Sequence, residues 1–409
     1  MYISNNQYQK NTNISSIFEM VWRNTNISRI EIAKKLDLYR STITNIISAL
    51  IENDLIREGV VGTSSAKGGR PPVSLYINRN FGCIIGIDLH PETYNVVIIS
   101  VDGSTLLSFT DKTPVSEENK NSSEKSFIFS MDNIIASLLE PVSKLNIPVI
   151  GMCVCVPGIV DIDKGIIKDS DSFGLINFPF SETFYSRYGV PCTVENDARC
   201  LAWKHVALQR GENVKKEDFI CVLAKNMEGI KPFDGIRRSG IGVGLSIAIK
   251  GSLLYGSSYS VGEYFSSSWT GEKPYQSGLD ENVIKTIFTN EDSYRKWAAD
   301  LLKTLTVFVP LLSPEKVFIH GQKADREPLI KKAMEEDVPE FARAMTRYDC
   351  TLEFKPASPF ELAEGAACRY LQQMFVVMQT DSDSWIKPYD WESAFKLRLK
   401  GLKTLQLHV

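Results

Sequence analysis

No run of apolar residues in this 409-residue chain approaches the ~20 needed to cross a bilayer as a helix. The opening residues, Met1-Tyr-Ile-Ser-Asn-Asn6, lack the charged-then-apolar pattern of a secretory signal. A membrane protein is not expected, and the cytoplasm is the expected compartment. Paired cysteines are also missing. The eight Cys are scattered, at Cys83, Cys153, Cys155, Cys192, Cys200, Cys221, Cys350 and Cys368, mostly in apolar surroundings. Reduced core thiols follow. Cys153 and Cys155 share one strand face, but no second Cys or His pair stands at finger-like spacing, so no metal site is expected. A large charge of one sign is lacking too, since the net charge is −3.

What charge there is lies unevenly. Residues 1–80 hold 10 Lys and Arg against 6 Asp and Glu, while the remainder holds 36 against 43. A modestly basic head on an acidic body fits a nucleic-acid-binding module with a regulatory partner, although four charges alone do not decide it. The composition, 43% apolar, 23% charged and 10% aromatic, is that of a globular protein. The length exceeds one ordinary core and implies two or three domains.

The stretch Ile14–Pro72 carries the clearest pattern. Two short amphipathic segments, Ile14–Asn24 and Ser28–Leu36, precede a third, Ser41–Asn53. In the third, Ile43, Ile46, Ile47, Leu50 and Ile51 form the stripe of a helix packed on one face. Its other face offers Arg40, Ser41, Thr42, Thr44, Asn45 and Ser48, short polar groups suited to base edges and phosphates. Leu36-Asp37-Leu38 supplies the turn, and Ser41, or Arg40-Ser41, is the expected N-cap. A strand and a wing over Val60–Ser65 follow. Then comes the basic arm Lys67-Gly-Gly-Arg-Pro-Pro72, in which Lys67, Gly69 and Arg70 are candidate DNA contacts. Pro71-Pro72 stiffens an extended path, and one Arg on such an arm suits a narrow minor groove. Together these read as a winged helix-turn-helix that binds DNA. The alternative is a three-helix interaction module with a basic linker.

Beyond residue 80 strands and helices alternate. Cys83–Asp88 is a buried strand with Asn95–Val101 as its antiparallel partner. Ser130–Leu145 is helical, Val149–Val156 a strand, Ser181–Tyr188 a helix and Pro191–Val194 a short strand. That strand delivers Glu195-Asn-Asp-Ala198 to a helix over Arg199–Ala207. Further strands are expected at 219–224, 241–249 and Lys316–Ile319, with a last helix from Pro359 to Gln373. This alternation implies an α/β body with two lobes and a cleft.

The order of these pieces resembles the ROK family of repressors, open reading frames and sugar kinases, over roughly residues 14–373. The motifs that carry the resemblance are the winged head with Gly-Gly-Arg-Pro-Pro72, Val156-Pro-Gly-Ile-Val-Asp161, Val194-Glu-Asn-Asp-Ala198, Gly240-Ile-Gly-Val-Gly244 and Val261-Gly-Glu263. The head places it with the repressor branch, resembling repressors of the xylose and N-acetylglucosamine type. The resemblance implies an actin-like ATPase (ribonuclease H-like) body behind the winged helix-turn-helix. The expected division is 1–78 head, 79–200 first lobe, 201–375 second lobe and 376–409 C-terminal extension.

In the family's kinases the Asp matching Asp197 is the general base on a sugar hydroxyl, and the groups matching Asn196 and Glu263 hold sugar hydroxyls. Carboxylates and an amide converging in a cleft suit a polyol. The plainer alternatives are that Asp197 is an N-cap and Glu263 a surface turn. The kinase machinery looks eroded. Where a phosphate loop Asp-x-Gly-x-Thr is expected, this chain reads Asp88-Leu-His-Pro-Glu-Thr93, without the glycine and with an added carboxylate. The family's zinc cluster is missing, because no Cys or His lies between Glu263 and Gly278. The loop 266–280 must then be ordered by packing or by ligand. The extension Thr380–Val409, led by Trp385, Tyr389 and Trp391, could cap the body, join an interface or touch DNA; packing or an interface is favoured.

The expectation is a DNA-binding transcriptional regulator that senses a sugar or sugar derivative, acts as a homodimer or homotetramer, and needs no cofactor. It is not expected to be an enzyme. The alternatives are a DNA-binding protein on a ligand-free dimerisation scaffold and an active sugar kinase.

Overall fold

A computed structural model describes residues 5–24, 26–61, 73–116, 122–210, 216–227, 240–271, 275–321, 326–375 and 389–399. Three helices come first: α1 (Asn5–Arg23), α2 (Arg29–Leu36) and α3 (Arg40–Glu52). Strands β1 (Ile56–Val61) and β2 (Val73–Ile77) pair antiparallel, Ile56 opposite Ile77. Residues 62–72 lie outside the described residues, and with them most of the expected wing and the arm bearing Lys67, Gly69 and Arg70.

Helix α2 starts on a capping box. Ser28 Oγ accepts from Glu31 N, and the Glu31 carboxylate accepts from Ser28 N at 2.8 Å. It ends at Asp37, which is left-handed at φ 51°. The expected N-cap of α3 is corrected. The cap is Tyr39, without a side-chain bond, and its carbonyl accepts from Ile43 N at 3.1 Å. Ser41 lies inside the first turn because burial of Ile43, Ile47 and Leu50 sets where the helix begins.

The first body sheet has the order β10-β6-β3-β4-β5. It comprises β3 (Cys83–Leu89), β4 (Thr93–Ser100), β5 (Thr105–Lys112), β6 (Val149–Val156) and β10 (Cys192–Asn196). β3 runs antiparallel to β4 and parallel to β6. Helix α4 (Ser123–Leu145) buries Phe127, Met131, Ile134 and Leu138 in the core beneath it. A small sheet of β7 (Ile159–Asp161), β8 (Ile166–Ser170) and β9 (Leu175–Phe178) precedes α5 (Phe180–Tyr188), and α6 (Asp197–Ala207) follows β10. The second sheet has the order β13-β12-β11-β14-β15, from β11 (Phe219–Asn226), β12 (Ile241–Ile249), β13 (Ser252–Leu253), β14 (Lys316–His320) and β15 (Thr351–Phe354). Helices α7 (Glu281–Thr286), α8 (Glu291–Leu312), α9 (Glu327–Lys332) and α10 (Pro339–Arg347) accompany it. Two five-stranded sheets thus form the expected two-lobed α/β body. Strands β5, β7 to β9, β13 and β15 are additions to the sequence reading.

Helix α11 (Glu361–Phe375) packs on β3, β6 and α6. A Cβ added to Gly86 of β3 would sit 1.9 Å from Ala363 O, so only glycine permits this approach. The division that gave 201–375 to the second lobe therefore differs from the packing. The chain returns to the first sheet at its end, and sequence order does not reveal the return.

The head is not a separate bead. Trp22 of α1 donates from Nε1 to Val101 O at 3.0 Å, and its ring stacks under the Arg210 guanidinium at 4.1 Å. Phe18 meets Phe375 of α11 at 5.5 Å and Trp391 at 5.1 Å. Trp391 opens α12 (Trp391–Leu399), is fully buried, and donates to Ser15 Oγ at 2.9 Å. Arg398 of α12 pairs with Asp54 of the head. The described part of the extension therefore packs between head and body, while 376–388 and 400–409 lie outside the described residues. One apolar cluster runs from Ile14 through Ile43 to Ala363 and Trp391. Among the described residues no helix is long and apolar enough to cross a membrane.

Candidate functional site

Between the two sheets lies a cleft of about 480 Å³, lined by Asn196, Asp197 and Glu263 together with His90, Lys225 and Trp269. The three residues expected to hold a ligand from sequence are therefore brought to one space. β10 ends at Asn196 and α6 begins at Asp197. Asn196 is the helix cap: its Oδ1 accepts from Arg199 N at 3.2 Å, and its Nδ2 donates to Gly158 O at 3.0 Å. With Asn196 in the cap, Asp197 is left to face the cleft. Its Oδ1 accepts from Ala198 N at 2.9 Å, and its Oδ2 lies 3.4 Å from Lys225 Nζ.

Lys225 sits near the end of β11 and joins the lobes electrostatically. Its Nζ is 2.9 Å from His90 Nε2, which is 3.0 Å from Asp88 Oδ1 on β3. Asn95 Nδ2 donates to the other Asp88 oxygen at 3.0 Å. Burial opposes charge on Asp88, but His90 and Lys225 outweigh it and hold the carboxyl well below the usual range. Burial likewise opposes charge on Lys225, yet Asp88 and Asp197 raise its pKa. The turn that should cradle phosphate is thus engaged in a carboxylate–imidazole–ammonium chain. The sequence reading singled out this turn but missed Lys225, which no local motif marks.

Glu263 follows Gly262, which has φ 101° and whose added Cβ would meet Leu245 O at 2.0 Å. The turn is docked on β12 by Leu245 N donating to Gly262 O at 2.9 Å. Glu263 is itself exposed at the cleft mouth. The following loop is ordered by packing in its described part. Gln276 brackets Val243, accepting from its N at 2.7 Å and donating to its O at 2.8 Å, and Phe265 stacks on Trp269 at 4.0 Å.

A second feature missed from sequence is fully buried Glu195. It accepts from Asn196 N at 2.9 Å, Tyr255 Oη at 2.8 Å and Trp203 Nε1 at 3.2 Å. Arg199 and Arg369 each approach it at 3.4 Å. Arg199 also donates to Tyr259 O and Val261 O, so one knot ties α6 to the loop that carries Glu263. A run of mixed polar residues in sequence gives no sign of such a knot.

On the head, Arg40, Ser41, Thr44 and Asn45 are exposed, Thr42 and Ser48 are half-buried, and all six lie off the buried stripe of α3. Tyr39, 84% exposed at the helix start, joins that face.

The model of the ROK family matches residues 86–225. A "Putative xylose repressor" of Caldicellulosiruptor sp. is 30% identical over 200 residues, 49% of this chain and 48% of its own length. The "Xylose repressor" of Staphylococcus xylosus is 28% identical over 219 residues, 51% and 52% of the two chains. The chain thus spans about half the length of these relatives. The "DNA-binding transcriptional dual regulator NagC" of Escherichia coli is 24% identical over 374 residues, 81% of this chain and 86% of that one. In fold, the chain matches a solved ROK family transcriptional regulator, a homologue of the E. coli MLC protein, with TM-score 0.66 at 16% identity over 97% and 99% of the two chains. A Streptococcus pneumoniae ROK family protein solved with sucrose matches at TM-score 0.52 and 19% identity, over 71% and 98%. Residues 86–225 thus carry a ROK family domain, and the chain shares the fold of a solved ROK family transcriptional regulator.

Proposed function

We propose that the protein is a DNA-binding transcriptional regulator, a repressor of carbohydrate metabolism, whose cleft senses a sugar or sugar derivative and thereby controls DNA binding. The observation that carries this reading is the head of three helices and the β1–β2 pair built into the same core as the cleft-bearing body. The polar face of α3 serves DNA. Asp197 and Glu263 supply acceptors, Lys225 supplies donors, and Trp269 an apolar wall, which together suit the alternating hydroxyls and C–H faces of a sugar. A regulator that acts on operator DNA works in the cytoplasm and reads paired half-sites as a homodimer or homotetramer. Ligand shifts the balance between lobe arrangements, and α1, α11 and α12 carry that shift to the head. The protein is not a kinase and uses no nucleotide cofactor: the turn after β3 lacks the phosphate-loop glycine, and His90 and Lys225 fill its charge needs with Asp88.

A thermal-shift screen of monosaccharides, amino sugars and sugar phosphates, each with and without Mg-ATP, tests this. Ligand at about 100 times its dissociation constant should add ~2.7 kcal/mol to stability. A shift independent of ATP, lost in Asp197→Ala and Glu263→Ala, and accompanied by altered operator affinity is the expected result. A shift that requires ATP would revive the kinase reading. No response to any sugar, with DNA affinity intact in both variants, would leave the body a dimerisation scaffold.

A further inference from the structure

Away from the cleft, three side chains with metal-ligating atoms converge among α6, β11 and β14. They are His205, Cys221 and His320, whose ligand atoms all lie within 4.8 Å of one another. Cys221 and His320 are buried, and His205 is half-buried. The two imidazoles present Nε2 to Nε2 at 3.1 Å. Two nitrogens bound to one zinc at ~2.05 Å with tetrahedral angles stand roughly 3.3 Å apart. The pair is therefore already at a ligating separation, and the Cys221 sulfur lies within 4.8 Å of both nitrogens.

The surroundings fit as well. His320 Nδ1 lies 3.1 Å from the buried Glu361 carboxylate at the start of α11. An N–H donated there leaves the Nε2 lone pair facing His205, the carboxylate–histidine–metal arrangement that orients such ligands. His205 stacks on Phe318 at 4.2 Å, which fixes its ring.

We propose that His205, Cys221 and His320 bind a divalent ion of the zinc class, with Glu361 positioning the His320 ring. The nitrogen–sulfur donor set selects borderline-soft ions over Mg²⁺ or Ca²⁺. The fourth position falls to solvent at the half-buried His205 edge. On binding, the Cys221 thiol loses its proton to solvent and its sulfur bonds to the metal. The thiolate and the Glu361 carboxylate then balance the two positive charges. The site is separate from the family's cysteine-rich motif, which this chain lacks after Glu263. It joins α6 and the second sheet, with Glu361 of α11 behind it, so the ion pins the far end of the helix whose start carries Asn196 and Asp197.

The test is cobalt titration of the full chain after exhaustive chelation under reducing conditions. One equivalent should bind and give a thiolate-to-cobalt charge-transfer band that zinc abolishes, raise the thermal midpoint and release a proton. Cys221→Ser should lose the band, and Glu361→Gln should weaken binding roughly 10–100-fold. His205→Asn, at the most exposed ligand, should fold and lose most of the affinity even if the Cys221 variant does not fold. Absence of stoichiometric binding would overturn the proposal and leave a plain histidine–histidine hydrogen bond. So would a band that survives Cys221→Ser, or affinity unchanged in His205→Asn.

Discussion

Trp391 is the sharpest test of how the head is joined to the body. The side chain is fully buried, its ring contacts Phe18 at 5.1 Å and Tyr389 at 5.0 Å, and its N–H is the donor to Ser15 Oγ. Trp391→Ala removes that packing, leaves a cavity and strips Ser15 of its partner. Large-to-small core changes of this kind cost about 3–5 kcal/mol, and the lost hydrogen bond adds about 1 kcal/mol. Against a typical total of 5–15 kcal/mol the loss is severe. It should fall first on the α1–α12 contact. Amide hydrogen exchange across α1 should therefore accelerate more than exchange in β3 or β6 at the body centre. Trp391→Phe keeps the apolar body and should lose only about 1–2 kcal/mol. In operator-binding assays the alanine variant should retain DNA affinity at low temperature but respond less to ligand. A loss below 1 kcal/mol, or unchanged exchange in α1, would refute the idea that the tail clamps the head.

Other outcomes follow from the same structure. Glu195→Ala strands Arg199 and Arg369 in the interior and should cost about 3–5 kcal/mol in denaturant unfolding; Glu195→Gln should cost less and still blunt the ligand response. Asp88 has its folded pKa depressed below the ordinary 3.8, so its stabilisation is present above that value and is lost as pH falls through the lower folded one. Asp88→Asn should flatten the acid limb of stability below about pH 4. Arg40→Ala should weaken DNA binding on all sequences and reduce the salt slope by about 1, whereas Asn45→Ala should relax base preference at one position. Ser28→Ala removes the capping box of α2 and should cost about 1 kcal/mol, read from thermal unfolding.

Sequence periodicity placed α2, α3, β3, β4, β6, β10 to β12 and β14 within a few residues, because each buries a recognisable stripe or run, whereas α1 begins at Asn5, nine residues before the expected Ile14, where its first turns bury no apolar stripe. It failed on β5, whose side chains are mostly exposed, and on β7 to β9, which are short and mixed. The start of α3 was misjudged because cap preference pointed to Ser41 while core register placed the first turn at Arg40.

Local pattern marked the two kinds of module and the polar face of α3, and the family resemblance, carried by short motifs, marked Asn196, Asp197 and Glu263 as candidate ligands, since each is written within a few consecutive residues. Only tertiary structure decided that α11 returns to the first sheet, that Trp391 stitches the tail to the head, and that Lys225 meets Asp88 and Asp197. The same holds for His205, Cys221 and His320, which lie on three elements far apart in the chain. Such meetings depend on how faces pack across long loops, and a burial stripe tells that a face is covered without telling what covers it.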